Sequence, residues 1–223
     1  MLEHLRILCY SLTIVSKNVL GAENQQGRLQ VQTEEPSETT RQTPGQMEAY
    51  LLGALHDGTF NIRRKTHRFS QTDIDWLLLL QECLKLLGHK SWIYREGKSR
   101  AMYVLETSAK FLSIDFDPCY LNTKAGRIAY IRGFFDAEGG LPKSPQARFY
   151  IQLVQKNKSK LEWIRSSLIG MGINCGVIHT PSKRIDPEYF RFFIATRSHQ
   201  DFAKVIGSWH PRKHFIFESR VKI

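Results

Sequence analysis

Two apolar stretches that end in glycine stand out in the hydrophobic pattern of this chain. The first runs from Tyr50 to Asp57 and the second from Ile128 to Glu138, and a glycine follows each of them. Each stretch has no strong breaker before its end, which predicts a helix that stops at a sharp turn. In the second, Gly133 and Ala137 are four residues apart and share one helix face, where small side chains let another helix backbone come close.

The remaining pattern predicts extended and helical segments in a repeated order. We predict extended segments at 59–65 and 66–71, a helix at 74–87, strands at 91–95 and 101–106, a short helix at 107–112 and a connector at 113–126. After the second apolar helix come a strand at 148–155, a helix at 158–169, strands at 177–180 and 189–196, and a helix at 200–207. The repeated αββαββα order predicts a duplicated α+β fold with pseudo-twofold symmetry.

The chain divides into an N-terminal extension and two similar halves. Residues 1–46 contain a short apolar stretch and then a segment rich in Gln, Glu, Thr, Ser and Pro, which predicts a disordered or accessory extension. The apolar stretch also faintly resembles a signal peptide, but it is too short to span a bilayer and we expect no membrane contact. The two halves are predicted at 47–126 and 127–223.

The net charge of +11 belongs to the two halves, because residues 1–46 hold four basic and five acidic residues. A strongly basic globular domain favours a polyanionic partner, most simply nucleic acid. A merely basic protein is the alternative that charge alone leaves open.

The four cysteines are far apart and form no CxxC pair. Such spacing favours reduced thiols over zinc ligands or a disulfide framework, and therefore an intracellular protein, cytoplasmic or organellar.

The two glycine-ended helices resemble the LAGLIDADG motif of homing endonucleases. The second copy carries Asp136, Ala137, Glu138 and Gly139 after Gly133; the first has Gly53 and then Asp57-Gly58, one residue short of that spacing. The chain is similar to monomeric members that contain two motifs. The resemblance implies that two antiparallel sheets form a DNA-binding saddle, and that the motif helices pack together beneath it.

The resemblance also implies that Asp57 and Glu138 are the catalytic metal ligands. Mg²⁺, or another divalent cation such as Mn²⁺, prefers carboxylate oxygens and can neutralise charge during phosphodiester hydrolysis. Asp57-Gly58 is also a common turn dipeptide, which is the alternative reading of the first acid.

Polar residues at the ends of two strands complete the expected catalytic set. By the resemblance, Gln71, Gln155 and Lys156 orient solvent near the metal ions, and Lys143 reaches the scissile phosphate as a point charge. The alternative for both lysines is a solvated surface charge.

The resemblance further implies that the strands supply the DNA-binding surface, and period-two alternation would then place one set of their side chains in the core and the other set against a duplex. Antiparallel ribbons fit the major groove, and some of their contacts bind phosphates without specifying sequence. The predicted DNA-binding residues are Arg63, Lys65, Arg68, Lys98, Arg100, Arg148, Gln152, Lys183, Arg184 and Arg191.

Three functions are compatible with these observations. The first is a site-specific double-strand DNA endonuclease that acts as a monomer at a long recognition site. The second is a maturase that binds intron RNA, and the third is a DNA-binding protein with an inactive site on the same fold. The presence of both acids favours the first function, while the irregular first motif keeps the other two open.

Overall fold

The computed structural model describes residues 42–97, 102–181 and 183–221 of the 223-residue chain. Within it, Thr43–Ile223 forms one structural unit. Most of the predicted N-terminal extension lies outside the described residues, and so do two of the predicted DNA-binding residues, Lys98 and Arg100.

Six α-helices form the scaffold of the described chain. They are α1 (Pro44–Ala54), α2 (Ile74–Leu86), α3 (Lys124–Glu138), α4 (Lys158–Gly170), α5 (His199–Val205) and α6 (Pro211–Val221). Side-chain caps begin four of them: Thr43, Asp73, Thr123 and Asn157 each accept a hydrogen bond from a backbone N–H of the first turn. These caps satisfy donors that a helix cannot pair internally.

Seven strands form two antiparallel sheets. The first sheet has the order β1 (Gly58–Asn61), β2 (Thr66–Gln71), β4 (Met102–Thr107), β3 (Ser91–Glu96). The second has the order β5 (Gly139–Gly140), β6 (Gln152–Gln155), β7 (Phe190–Phe193). The predicted duplicated α+β fold with two antiparallel sheets is confirmed.

Each sheet turns one face towards the helices and the other away from them. Phe69 and Leu105 of the first sheet, and Leu153 and Phe192 of the second, belong to the hydrophobic core. Because side chains alternate along a strand, their neighbours lie on the opposite face, which we name the outer face. Both motif helices, α1 and α3, pack against each other in the centre of the core.

Two predicted elements are not formed. The short helix at 107–112 is absent because β4 continues to Thr107, whose hydroxyl donates to the Lys90 carbonyl at 2.8 Å and accepts from the Ala109 N–H at 3.2 Å. The strand at 177–180 is reduced to one isolated bridge between His179 and Arg191, and a second isolated bridge pairs Cys175, which precedes it, with Ile194.

The structure also contains one helix that the sequence pattern did not predict. Helix α6 buries Lys213 and Phe217, and its remaining residues are mostly polar or charged, so it lacks the continuous apolar stretch that marks the motif helices. None of the helices in the described part of the chain has the length and apolar character needed to cross a membrane.

Candidate functional site

The two motif helices cross at a pair of glycines. A Cβ atom built on Gly53 would lie 2.1 Å from the carbonyl oxygen of Tyr130, and one built on Gly133 would lie 2.0 Å from the carbonyl oxygen of Tyr50. No side chain fits at such distances, so the two backbones are in direct contact. The contacts are reciprocal, since the glycine of each helix lies against the tyrosine carbonyl of the other helix. The crossing therefore has the pseudo-twofold relation that the repeated motif predicted.

The two motif helices end in different helical conformations. Helix α3 stays α-helical to Glu138, whereas α1 changes into a 3₁₀ turn over Leu55–Asp57. The rise is about 1.5 Å per residue in an α-helix and about 2.0 Å in a 3₁₀ helix. The path from Gly53 to Asp57 and the longer path from Gly133 to Glu138 therefore both advance about 7.5 Å. The stretched 3₁₀ turn compensates for the residue that the first motif lacks.

Asp57 and Glu138 lie near enough for their charges to interact. Burial and, secondly, the charge of Asp57 raise the pKa of Glu138 to about 7. Burial also raises the pKa of Asp57, which Lys213 and a hydrogen bond from Gln71 oppose. The ionised pair is thus held at an energetic disadvantage, which a cation between the two carboxylates would relieve.

The donor set of this site fits a hard divalent cation. The described residues contain no group of three or more His, Cys, Asp or Glu side chains that could hold a metal ion. Mg²⁺ ordinarily takes only one or two protein carboxylates and completes its coordination with water and substrate phosphates. Asp57 and Glu138 are therefore sufficient protein ligands for Mg²⁺, provided that a phosphate supplies further oxygens.

The two glutamines that end strands β2 and β6 both contact the end of the first motif. Neither of them contacts Glu138. Gln71, the last residue of β2, donates from Nε2 to the Asp57 carboxylate at 2.5 Å. Gln155, the last residue of β6, instead contacts His56, with 3.2 Å between Gln155 Nε2 and His56 Nδ1. Asp57 therefore receives a hydrogen bond from a strand-end glutamine and Glu138 does not, although β2 and β6 are equivalent strands of the two halves.

The hydrogen bonds of Gln155 also determine the state of His56. Oε1 of Gln155 accepts from the Lys156 N–H at 2.7 Å, so its Nε2 is the donor to His56 Nδ1. His56 Nε2 then carries the proton and donates to the Tyr130 hydroxyl at 2.7 Å. Burial, assisted by the charge of Lys160, lowers the pKa of His56 to about 3. His56 is consequently a neutral, packed side chain at the position where the second motif has Ala137.

Lys213, on the unpredicted helix α6, is the site residue that the sequence analysis missed. Its buried ammonium donates to the carbonyl oxygens of Phe135 at 2.5 Å, Asp136 at 2.9 Å and Gly139 at 2.7 Å. These bonds satisfy carbonyls that the end of α3 leaves unpaired. Burial lowers the pKa of Lys213 to about 8, and its positive charge lowers the pKa of both Asp57 and Glu138. Only its position four residues before buried Phe217 could have indicated that it faces the core.

Asp136 serves the fold and lies apart from the acid pair. Its Oδ2 atom accepts hydrogen bonds from the Tyr50 hydroxyl at 2.8 Å, the Trp209 N–H at 2.9 Å and the His210 N–H at 3.1 Å. Its Oδ1 atom accepts from the Ser208 hydroxyl. Asp136 therefore joins the end of α3 to α1 and to the segment that begins α6.

The predicted catalytic lysines and five of the predicted DNA-binding residues are exposed. Lys143 is exposed, and Lys156 is exposed with its Nζ atom 3.7 Å from Asp186. Neither lysine contacts the acid pair in the described part of the chain. Three predicted DNA-binding residues lie on outer faces, namely Arg68, Gln152 and Arg191, and five lie exposed in turns and loops, namely Arg63, Lys65, Arg148, Lys183 and Arg184.

Sequence comparison identifies one family in the second half of the chain. Residues 125–207 match the family model described as a LAGLIDADG-like domain. None of the curated protein sequences matches the chain. The predicted resemblance to the LAGLIDADG family is confirmed.

Solved structures with the same fold include the homing endonuclease I-DmoI. Its complex with DNA and Mn is 23% identical over 74% of this chain and 98% of that chain, with a TM-score of 0.57. Its complex with DNA and Ca is 22% identical over 80% of this chain and 100% of that chain, with a TM-score of 0.59. Full-length WhiA from Thermatoga maritima is 19% identical over 75% of this chain and 57% of that chain, with a TM-score of 0.59. At these identities the likeness shows the fold.

Proposed function

We propose that this chain is a site-specific DNA endonuclease that hydrolyses one phosphodiester bond in each strand of a duplex, with Mg²⁺ or Mn²⁺ as cofactor. The observation that carries the proposal is the placement of Asp57 and Glu138 at adjoining ends of two crossing helices, where their charges interact. One acid from each half suits a duplex, because its two scissile phosphates are also related by an approximate twofold axis. The I-DmoI structures, solved with DNA and with Mn or Ca, support the same assignment.

Each residue of the candidate site would have its own role in this proposal. Asp57 and Glu138 bind the cation, and Gln71 holds the Asp57 carboxylate in one direction through its amide donor. Lys213 fixes the backbone on both sides of Glu138 and favours the ionised, ligating form of both acids. When bound, the divalent cation would polarise the scissile phosphate and lower the pKa of the attacking water.

The outer faces of the two sheets supply the duplex-binding surface in this proposal. They lie on the side of each sheet that the helices leave uncovered, and the cations of the neighbouring turns surround them. The net charge of +11 favours attraction of a polyanion over long distances.

A second candidate is a protein that binds duplex DNA on this fold without cleaving it. His56 favours this candidate, because the bulky ring stands where the second motif has Ala137 and receives the hydrogen bond of Gln155. The side-chain amide of Gln155 is therefore hydrogen-bonded to His56, whereas the resemblance to homing endonucleases implies that Gln155 orients solvent near the metal ions.

A strand-resolved cleavage assay decides between the two candidates. The substrate is a duplex that the full chain selects from a random pool, labelled on each strand, with Mg²⁺ or Mn²⁺ added. We expect the native chain to cut both strands, and Glu138→Gln and Asp57→Asn each to reduce cutting at least about 100-fold while binding persists. Binding of the selected duplex by the native chain without any cutting would establish the second candidate.

A further inference from the structure

Gln71 and Gln155 occupy equivalent positions in the two halves of the chain. Gln71 ends β2 and Gln155 ends β6, and each of these strands pairs antiparallel with the short strand that follows a motif helix, β1 or β5. Gln71 donates a hydrogen bond to Asp57, the acid of its own half. The pseudo-twofold relation of the halves would give Gln155 the corresponding partner, which is Glu138. Gln155 contacts His56 of the first half instead.

His56 is held firmly enough to keep Gln155 in this direction. Its Nε2 atom donates to the Tyr130 hydroxyl at 2.7 Å, and its ring packs edge-on against Phe134 with 4.8 Å between the ring centroids. A packed and hydrogen-bonded ring cannot turn its Nδ1 atom elsewhere without losing these contacts. The acceptor that Gln155 finds at the end of the first motif is therefore fixed in place.

The second motif offers no such acceptor. The residue before the acid is His56 in the first motif and Ala137 in the second. The methyl side chain of Ala137 cannot accept a hydrogen bond, so nothing there competes with Asp57 for the amide of Gln71. The difference between the halves thus arises at a single position. It leaves Glu138 without a side-chain hydrogen bond from any residue that the structure describes.

The direction of these amides matters because each cut needs an ordered water. Hydrolysis adds one water molecule across a phosphodiester bond: the water oxygen bonds to phosphorus, the bond from phosphorus to the leaving sugar oxygen breaks, and that oxygen gains a proton. A misplacement of about 1 Å in such a reaction can cost about 100-fold in rate. Gln71 provides a directed donor beside Asp57, whereas the donor of Gln155 points away from Glu138.

We infer that His56 is a positioning residue that diverts Gln155 from Glu138 and so makes the two strand cuts unequal. The strand whose cut depends on Gln71 is cut first, and the strand whose cut depends on Gln155 is cut more slowly. The inference rests on the proposed function, because it requires the chain to cut DNA. It goes beyond that function in predicting that removal of the histidine acceptor raises the rate at one strand only.

Strand-resolved rates test the inference most directly. A duplex that the full chain selects from a random pool is labelled on each strand and cut under single-turnover conditions with Mg²⁺. We expect the native chain to cut one strand at least about 10-fold faster than the other. His56→Phe keeps a packed ring but has no acceptor, and it should raise the slower rate about 10-fold while the faster rate stays within about twofold. His199→Phe, which changes a buried histidine of α5 outside the site, is the matched control and should leave both rates unchanged.

Glutamine substitutions identify the strand that each side chain serves. Gln71→Ala should slow the faster cut, whereas Gln155→Ala should change the slower cut little while His56 is present. Added to His56→Phe, Gln155→Ala should remove the gain, because the gain depends on the released amide. His56→Ala, which installs the residue of the second motif, should give the same gain as His56→Phe and shows that the effect does not depend on the phenylalanine ring.

A measurement without DNA or cleavage supplies the second readout. The side-chain amide of Gln155 gives its own NMR signals, which report on its hydrogen-bond partner. In the native chain, Glu138→Gln should leave these signals nearly unchanged, because Gln155 contacts His56. In His56→Phe, the same change at Glu138 should shift them, because the amide has turned to the Glu138 carboxylate.

The outcomes separate this inference from the proposed function. If the native chain cuts both strands at equal rates, or if neither His56→Phe nor His56→Ala raises the slower rate, the inference is wrong and the proposed function stands. Gln155 signals that do not respond to Glu138→Gln in His56→Phe would also contradict the diversion. If the native chain and both His56 variants bind the selected duplex and cut neither strand, the inference and the proposed function are both overturned.

Discussion

Gly53 and Gly133 occupy equivalent places on the two motif helices, and each lies against the backbone of the opposite helix. The positions for their absent Cβ atoms are 2.1 and 2.0 Å from carbonyl oxygens. The helix pair, and with it the separation of the two acids, depends on the lack of any side chain at these two positions.

Substitution of Gly133 by alanine should therefore be severely destabilising. The single added methyl group would have to displace the α1 backbone, and we expect a loss of at least about 3 kcal/mol in the free energy of unfolding. Urea denaturation measures this loss. Gly170→Ala is the matched control, because nothing lies within 4 Å of its Cβ position and α4 should gain slightly from alanine. Equal stability of the two variants would contradict the close crossing.

Substitution of Asp136 by asparagine should loosen the C-terminal helix. An amide group cannot accept all four hydrogen bonds that the carboxylate receives, because its NH₂ would face either the Ser208 hydroxyl or the three donors of Tyr50, Trp209 and His210. We expect a loss of about 3 kcal/mol, with faster amide exchange concentrated in α6. The exposed Asp201→Asn should change stability by less than about 1 kcal/mol. Native-like exchange in α6 of Asp136→Asn would argue against this anchoring role.

Glu138 should make the native chain less stable as the pH rises. Its pKa is about 7 in the folded chain against an ordinary value of 4.5, so the folded form binds more protons between these values. The associated stability is present below pH 4.5 and is lost as the pH rises through 7. Glu138→Gln removes this dependence. Between pH 5 and pH 8 we expect the free energy of unfolding of the variant to rise by about 1–2 kcal/mol relative to that of the native chain, allowing for solvent screening. Parallel stability curves for the two proteins would show that Glu138 titrates normally.

Substitution of Lys213 by methionine should shift the pH dependence of cleavage. Without the ammonium, the pKa of Glu138 and of Asp57 should rise, so a higher pH is needed to ionise the metal ligands. We expect about tenfold slower cleavage at pH 7, partly restored at pH 9. A pH–rate profile measures the shift, and Lys204→Met, an exposed lysine on α5, is the control. A uniform loss of rate at every pH would indicate structural damage instead.

The parts of the fold with strong local signals were predictable from the sequence. The glycine-ended motifs and the period-two strands each carry local information, and the corresponding helices and sheets are present. The predicted strand at 177–180 is not formed, because of its residues only His179 pairs, in an isolated bridge with Arg191. Pairing between distant segments is a tertiary property that the pattern in one segment does not reveal.

The candidate site was predictable only where the motif supplies it. Asp57 and Glu138 follow from motif position, and the structure brings their charges together. Lys213 was not predictable, because a lysine in a polar helix ordinarily indicates a solvated face, and its carbonyl partners lie more than 70 residues away. The contact between Gln155 and His56 joins two halves of the chain and likewise has no local signal.

The 3₁₀ turn at Leu55–Asp57 shows that the length of a motif along the helix axis is not fixed by its number of residues alone. After a gene duplication, one copy can lose a residue and its backbone can still advance as far along the helix axis as its twin, provided that its last turn is stretched and more tightly wound, as in a 3₁₀ helix. Searches that demand fixed spacing would pass over such shortened copies, so chains with one regular motif merit inspection for a second, abbreviated one.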